Sequence, residues 1–232
     1  MIKYQAVYFS IFAEKFFMDF LPQDIIEYCE NHSEKEPEYL AKLNRETHQK
    51  ILQPRMLSGH YQGRLLSLIS KLVNPKYILE IGTYTGYSAL CLAEGLQPKG
   101  QLHTIDINEE LFDFQQKYFK ESAFKDQIIQ HLGDATQIIP QLDMKFDLVF
   151  IDADKPNYPT YFEIIIEKMN PGGLILSDNV LWSGKVLEEV KKEDISTNAL
   201  VKYNKMLAED ERIETVILPL RDGLTLSRVK NQ

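Results

Sequence analysis

The chain has only two cysteines, Cys29 and Cys91, far apart and outside any CxxC pair. No disulfide framework is signalled, which fits a reducing, cytoplasmic setting. Its five histidines form no HxxxH, so no zinc site is signalled either. Positive charge is in deficit, with 26 Lys and Arg against 34 Asp and Glu and a net charge of -8. A surface that neutralises many phosphates is therefore not expected, and nucleic acid is a disfavoured partner. Long apolar runs are missing: the stretch MIKYQAVYFSIFAEKFFMDF is broken by Glu14 and Lys15, is too short and too charged to span a bilayer, and has no small-residue cleavage site after it. Internal repeats and low-complexity linkers are missing too.

What remains is the composition of a soluble globular chain, 232 residues at 44% hydrophobic and 26% charged, enough for a single domain with a full core. Within the first twenty residues Tyr4, Tyr8, Ile11, Phe12, Phe16 and Phe20 recur at spacings of three and four. That spacing predicts one helix face, buried either on its own domain or in a homodimer. PQDIIEYCENHS, EPEYLAKLNRETHQK and GHYQGRLLSLISKLV predict three more helices, completing an N-terminal helical extension over residues 1–75. From residue 76 to 232 short apolar runs alternate with amphipathic segments. YILEI, QLHTIDI, QIIQHL, FDLVFID and GLILSD read as strands, with helices near GYSALCLAEGL, EELFDFQQKYFKES, ATQIIPQL, YPTYFEIIIEKM and NALVKYNKMLAE. This alternation predicts an α/β fold with a mostly parallel sheet covered on both faces. RIETVILPL and LTLSRVK, with Arg221, Asp222 and Gly223 at their turn, predict a closing antiparallel hairpin and a seven-stranded sheet.

Ligands of such sheets bind beyond the carboxyl ends of the strands, where the winding reverses. The first strand ends in EIGTYTGYS, where Gly82 and Gly86 allow a sharp turn and close backbone approach. The second ends in Asp106, 24 residues after Gly82, the usual place for an acid on a ribose diol. A dinucleotide site would prefer GxGxxG. The GxxxG here, with Glu80 ahead of it to repel a pyrophosphate and attract an ammonium, favours S-adenosylmethionine over NAD. In FDLVFIDADK and GLILSDN, Asp152, Asp178 and Asn179 end two strands that a 3-2-1-4-5 order makes neighbours, about 4.8 Å apart. Two carboxylates and an amide oxygen suit a hard divalent cation, magnesium first, with manganese or calcium as substitutes. Strand-end capping is the alternative for the same residues.

At this point the chain resembles the cation-dependent O-methyltransferases, the group of plant caffeoyl-CoA O-methyltransferase and its bacterial relatives, and more distantly catechol O-methyltransferase. EIGTYTGYS, IDINEE, GDATQIIPQL, FDLVFIDADKPNY, NPGGLILSDNVLWSGKV and LPLRDGLTLSRVK follow that group's blocks in order, and LNRETHQK through MLSGHYQGRLL its extension. The resemblance implies a doubly wound, Rossmann-like class I methyltransferase. It implies cofactor contacts at Glu80, Gly82, Thr83, Ser88, Asp106 and Ala135, with Ser58 from the extension, Asp154 beside the cofactor and Tyr84 within the same turn. It implies metal ligation by Asp152, Asp178 and Asn179. Lys155 stands where catechol O-methyltransferase has its general base, so Lys155 and Asp152 are the catalytic candidates; a solvated turn lysine is the alternative. Trp182 reads either as an aromatic wall of the acceptor pocket or as a core anchor. Ser183 departs from the substrate-binding Asn of plant members, so caffeoyl-CoA is not carried over as substrate. The expected acceptor is a small catechol-like phenol. Three other readings stay open: methylation of a hydroxylated uridine in tRNA, a cofactor-binding regulator without turnover, and a nicotinamide-dependent oxidoreductase.

Overall fold

The computed structural model describes residues 21–231. The aromatic face between Tyr4 and Phe20, and the dimer it was expected to support, lie outside the described residues. Seven strands form one sheet in the order β3-β2-β1-β4-β5-β7-β6. Strands β1 (Tyr77–Ile81), β2 (Gln101–Asp106), β3 (Ile128–Leu132), β4 (Phe146–Ile151) and β5 (Met169–Asp178) are parallel, and β7 (Leu224–Val229) runs antiparallel between β5 and β6 (Ile213–Leu218).

Alternation along each strand sorts the core into two halves. Ile78, Leu102, Phe150 and Leu176 face α2 (Glu38–Lys50), α3 (Gly59–Val73), α4 (Tyr87–Ala93) and α5 (Phe112–Glu121), packing on Leu40, Leu66, Leu90 and Phe119. Leu79, Ile105, Val149 and Ile175 face the other way. They meet Ile139 beyond α6 (Ala135–Ile138), Phe162 of α7 (Tyr158–Ile166) and Tyr203 of α8 (Ile195–Glu209). The central strands are apolar on both faces, as a doubly covered sheet requires. The edge strands β3 and β6 are not: several of their residues are half-buried or exposed.

The extension comprises α1 (Gln23–Asn31), α2 and α3, and one carboxylate gathers several of its polar contacts to the sheet layer. Glu94, just past α4, accepts from Arg64 Nη2 at 2.8 Å, Ser67 Oγ at 2.6 Å, Lys71 Nζ at 2.8 Å and Tyr39 Oη at 2.8 Å. Four donors hold its carboxyl at about 2 despite burial. Two boundaries differ from the sequence expectation. Helix α8 begins at Ile195 because Asp194, inside a charged run, accepts from Thr197 N at 3.0 Å as an N-cap. Strand β5 begins at Met169, ahead of the Pro171-Gly172-Gly173 stretch that reads as a break.

Candidate active site

The reversal of winding lies between β1 and β4, and the register brings the strand ends level: Ile81 pairs with Ile151, and Ile151 with Ser177. The residues that follow, Gly82, Asp152 and Asp178, therefore stand side by side. Gly82 has φ +97, and a Cβ there would come within 2.0 Å of the Asp152 carbonyl oxygen. Only glycine lets the two strand ends approach this closely.

Glu80, two residues before Gly82 on the face toward α4, is fully buried. Thr104 Oγ1 donates to its Oε2 at 2.5 Å and lies 2.5 Å from Thr83 Oγ1, whereas Oε1 has no hydrogen-bond partner. Burial pushes this carboxyl up to about 8, partly opposed by the hydroxyls of Ser88 and Thr104. A cationic group brought to the unpartnered oxygen of such a buried acid would stabilise its ionised form. Asp106 is arranged differently. Its two oxygens accept from Tyr84 N at 2.7 Å and Asn108 N at 2.8 Å, which fixes the carboxylate while each oxygen keeps a lone pair. Tyr84, at φ 48, turns its hydroxyl toward the carbonyls of Leu52 and Gln53. Ser88 lies in the first turn of α4, and Ala135 opens α6 behind the Asp134 cap. Asp154 accepts from Asn157 Nδ2 at 2.7 Å and Tyr161 Oη at 2.5 Å. Each of these candidates sits at or just beyond the carboxyl end of a parallel strand.

Asp178 is buried, accepting from Asn179 N at 2.8 Å on one oxygen and from Gln62 Nε2 at 2.7 Å on the other. Burial, then the charge of Asp152, raises its carboxyl to about 6. Asn179 adopts φ 60, a left-handed conformation that asparagine tolerates better than most residues. Among the described residues no three His, Cys, Asp or Glu side chains gather to hold a metal; the expected trio is two carboxylates and an amide. Two mutually repelling carboxylates beside an amide oxygen are a donor set that fits a hard cation. Lys155 is buried, and its Nζ donates to Asp152 Oδ1 at 3.1 Å and Tyr158 Oη at 2.9 Å; Tyr158 in turn donates to the Asp178 carbonyl at 2.9 Å. The same ammonium stands 5.9 Å from the centre of the Trp182 ring, which is half-buried. Lys155 is thus held in the site and is not a solvated turn lysine.

Ser58 enters from the extension through its carbonyl, which accepts from Arg221 Nη1. Beside it opens a cavity of about 420 Å³ lined by Leu57, Ser58, Gln62 and Arg221. A larger hollow of about 620 Å³ lies between α2 and α5, away from the strand ends. Sequence reasoning missed Gln62, Arg221, Thr104 and Tyr158. A signal existed for Gln62 alone, a polar side chain on the apolar face of α3.

The solved O-methyltransferase TomG of Streptomyces achromogenes, involved in tomaymycin synthesis and in complex with SAM, superposes with a TM-score of 0.83 at 31% identity, over 90% of this chain and 96% of that one. A Bacillus cereus O-methyltransferase in complex with SAH gives 0.83 at 27% identity, over 89% and 97%. With this sheet order and these strand-end turns, the fold defines an S-adenosylmethionine-dependent methyltransferase. A profile of the O-methyltransferase family matches residues 30–230, and the chain belongs to that family, on the caffeoyl-CoA O-methyltransferase-like branch. Caffeoyl-CoA O-methyltransferase 1 of Eucalyptus globulus is 38% identical over 207 residues, 84% of this chain and 82% of that relative. Caffeoyl-CoA O-methyltransferase 5 of Nicotiana tabacum is 36% identical over 208 residues, 84% and 85%. The methyl-donor cofactor is thus S-adenosylmethionine, as the GxxxG turn and Glu80 led one to expect.

Proposed function

We propose that this enzyme methylates one hydroxyl of a small catechol-like acceptor whose vicinal oxygens are held at a divalent cation, magnesium first, on Asp152, Asp178 and Asn179. The observation that carries the reading is the pair of neighbouring carboxylates at level strand ends, one of them raised to about 6 by burial and by the other's charge. Such a pair is relieved by a cation.

Glu80 Oε1 receives the ammonium of the cofactor's amino-acid end, and Asp106 receives its ribose hydroxyls. Gly82, Thr83, Tyr84, Ser88, Ala135, Asp154 and Ser58 complete the enclosure. When bound, S-adenosylmethionine would supply an electrophilic methyl group, and a cation held by Asp152, Asp178 and Asn179 would acidify an acceptor hydroxyl. Asp152 and Lys155 then act on the acceptor. Asp152 holds the Lys155 side chain in place, and Lys155 Nζ, after giving up one proton of its ammonium, would take the acceptor's hydroxyl proton as its oxygen receives the methyl group. Trp182 supports the acceptor ring. Ser183, lacking the reach and the amide of asparagine, shapes the pocket for an acceptor other than caffeoyl-CoA.

The test is transfer of label from S-adenosylmethionine to a panel of catechols and to bulk tRNA, with and without chelator. Chelator-sensitive transfer to a catechol is expected. Labelling of tRNA alone, or transfer that survives excess chelator, would refute the reading.

A further inference from the structure

The two oxygens of Asp178 are engaged unequally. One accepts from the backbone of the adjacent Asn179, but the other accepts from Gln62, which is 116 residues away on the extension. The Gln62 side chain is 1% exposed, and its amide has only one sensible orientation. Its Nε2 faces the Asp178 carboxylate at 2.7 Å while its Oε1 accepts from Arg221 Nη1 at 3.1 Å. The amide dipole is thus aligned between an anion and a cation, and a flip would oppose like ends on both sides.

Arg221 is itself over-determined. It lies in the turn between β6 and β7 at φ 48, a backbone region that disfavours arginine, and its Nη1 also reaches the carbonyls of Leu57 at 3.1 Å and Ser58. The same turn is bonded to the segment after Asp178: Val180 N donates to Gly223 O at 3.2 Å and Leu181 N to Asp222 O at 2.9 Å. The guanidinium therefore ties the hairpin tip to residues 57–62, and its hydrogen-bonded route to the carboxylate runs through Gln62.

We infer that Gln62 is a positioning residue for the cation, fixing the Asp178 carboxylate under the orienting charge of Arg221, so that the helical extension sets the geometry of the metal site. This rests on the reading of Asp178 as a metal ligand. An unrestrained carboxylate would rotate toward the Lys155 ammonium or toward solvent, and the cation would have to reorder it on binding.

The probe is MnCl2, titrated into the full-length protein by calorimetry and by electron paramagnetic resonance of free manganese, with SAH affinity measured alongside. Gln62→Met, close in shape but without the amide, is expected to weaken Mn2+ binding about tenfold while SAH affinity stays within about twofold. Arg221→Met is expected to weaken Mn2+ binding as well, and the double variant to be no worse than Gln62→Met, since both act through one contact. Mn2+ affinity in Gln62→Met within twofold of wild type, or losses that multiply in the double variant, would overturn the inference. Should Gln62→Met fail to fold, unchanged Mn2+ affinity in Arg221→Met overturns it just as well. Asp178→Asn separates the two claims. If it binds Mn2+ like wild type, the metal reading fails and this inference with it; if it loses Mn2+ while Gln62→Met does not, this inference fails alone.

Discussion

Glu80→Gln isolates the buried carboxyl at the end of β1. In the unfolded chain this group ionises near 4.5, and in the folded protein near 8. Its folded-state pKa is raised, so its contribution to stability is fully present below pH 4.5 and is lost as pH rises to 8. Over that interval the ionised form is favoured in the unfolded chain but resisted in the fold. At about 1.4 kcal/mol per pH unit, the loss reaches about 5 kcal/mol. Glutamine keeps the shape and the neutral state, so wild type and Glu80→Gln should be equally stable near pH 4.5. By pH 8 the variant should be the more stable by roughly 5 kcal/mol in urea unfolding without ligand. The cofactor reverses the sign, because an ammonium beside Oε1 favours the ionised carboxyl. SAH affinity of the wild type should therefore rise about tenfold per pH unit from pH 5 to 7. It should level near pH 8, where the carboxyl is ionised and the ligand amine begins to lose its proton. Calorimetry in buffers of different ionisation enthalpy should report proton release at pH 6, and Glu80→Gln should show neither the slope nor the release. Flat wild-type SAH affinity between pH 5 and 7 would refute the pairing of Glu80 with the ammonium. An equal stability difference between the proteins at pH 4.5 and pH 8 would refute the neutral buried acid itself.

Asp106→Ala removes charge-assisted bonds to the ribose and should weaken SAH binding by roughly 1–3 kcal/mol in calorimetry; unchanged affinity would place the ribose elsewhere. Asp152→Ala should lower turnover by orders of magnitude while SAH still binds, and equal losses of both would contradict separate cofactor and cation sites. Lys155→Ala should lose less, with a deficit that shrinks as pH rises and the acceptor ionises unaided; a constant deficit would make Lys155 a positioning residue only. His103, buried against the His131 ring, has its imidazole pushed down to about 4 by burial and then by His131. It should therefore cost stability as pH falls from about 6.5 to 4, by about 3 kcal/mol in all, and His103→Phe should flatten the acid limb of an unfolding profile.

Strand β1 and helix α3 were legible to the residue, because in both the apolar pattern runs unbroken to a turn or cap. The level ends of β1, β4 and β5 were legible too, once the winding order was assumed, since strand ends inherit their neighbours from topology. The start of α8 was not, because its N-cap, Asp194, is hidden among Lys191, Lys192 and Glu193, where a capping side chain looks like one more surface charge. Arg221 read as a turn residue and nothing else. Its partner Gln62 lies 159 positions away, and no local pattern encodes a contact between a hairpin tip and a helix so distant in the chain. Tyr158 was hidden for a different reason: it begins an amphipathic helix as an ordinary core aromatic, and only the fold aims its hydroxyl at Lys155.

The contact between Gly82 and the carbonyl of Asp152 puts bare backbone between the ends of β1 and β4. A partition of that kind has no side chain to vary, so natural or laboratory evolution cannot widen, tilt or recharge it. On the proposed function, diversity in acceptors would come from the segment after Asp178 that carries Trp182 and Ser183. Libraries confined to that segment would explore new acceptors over an unchanged floor, whereas even alanine at position 82 would force the two strand ends apart.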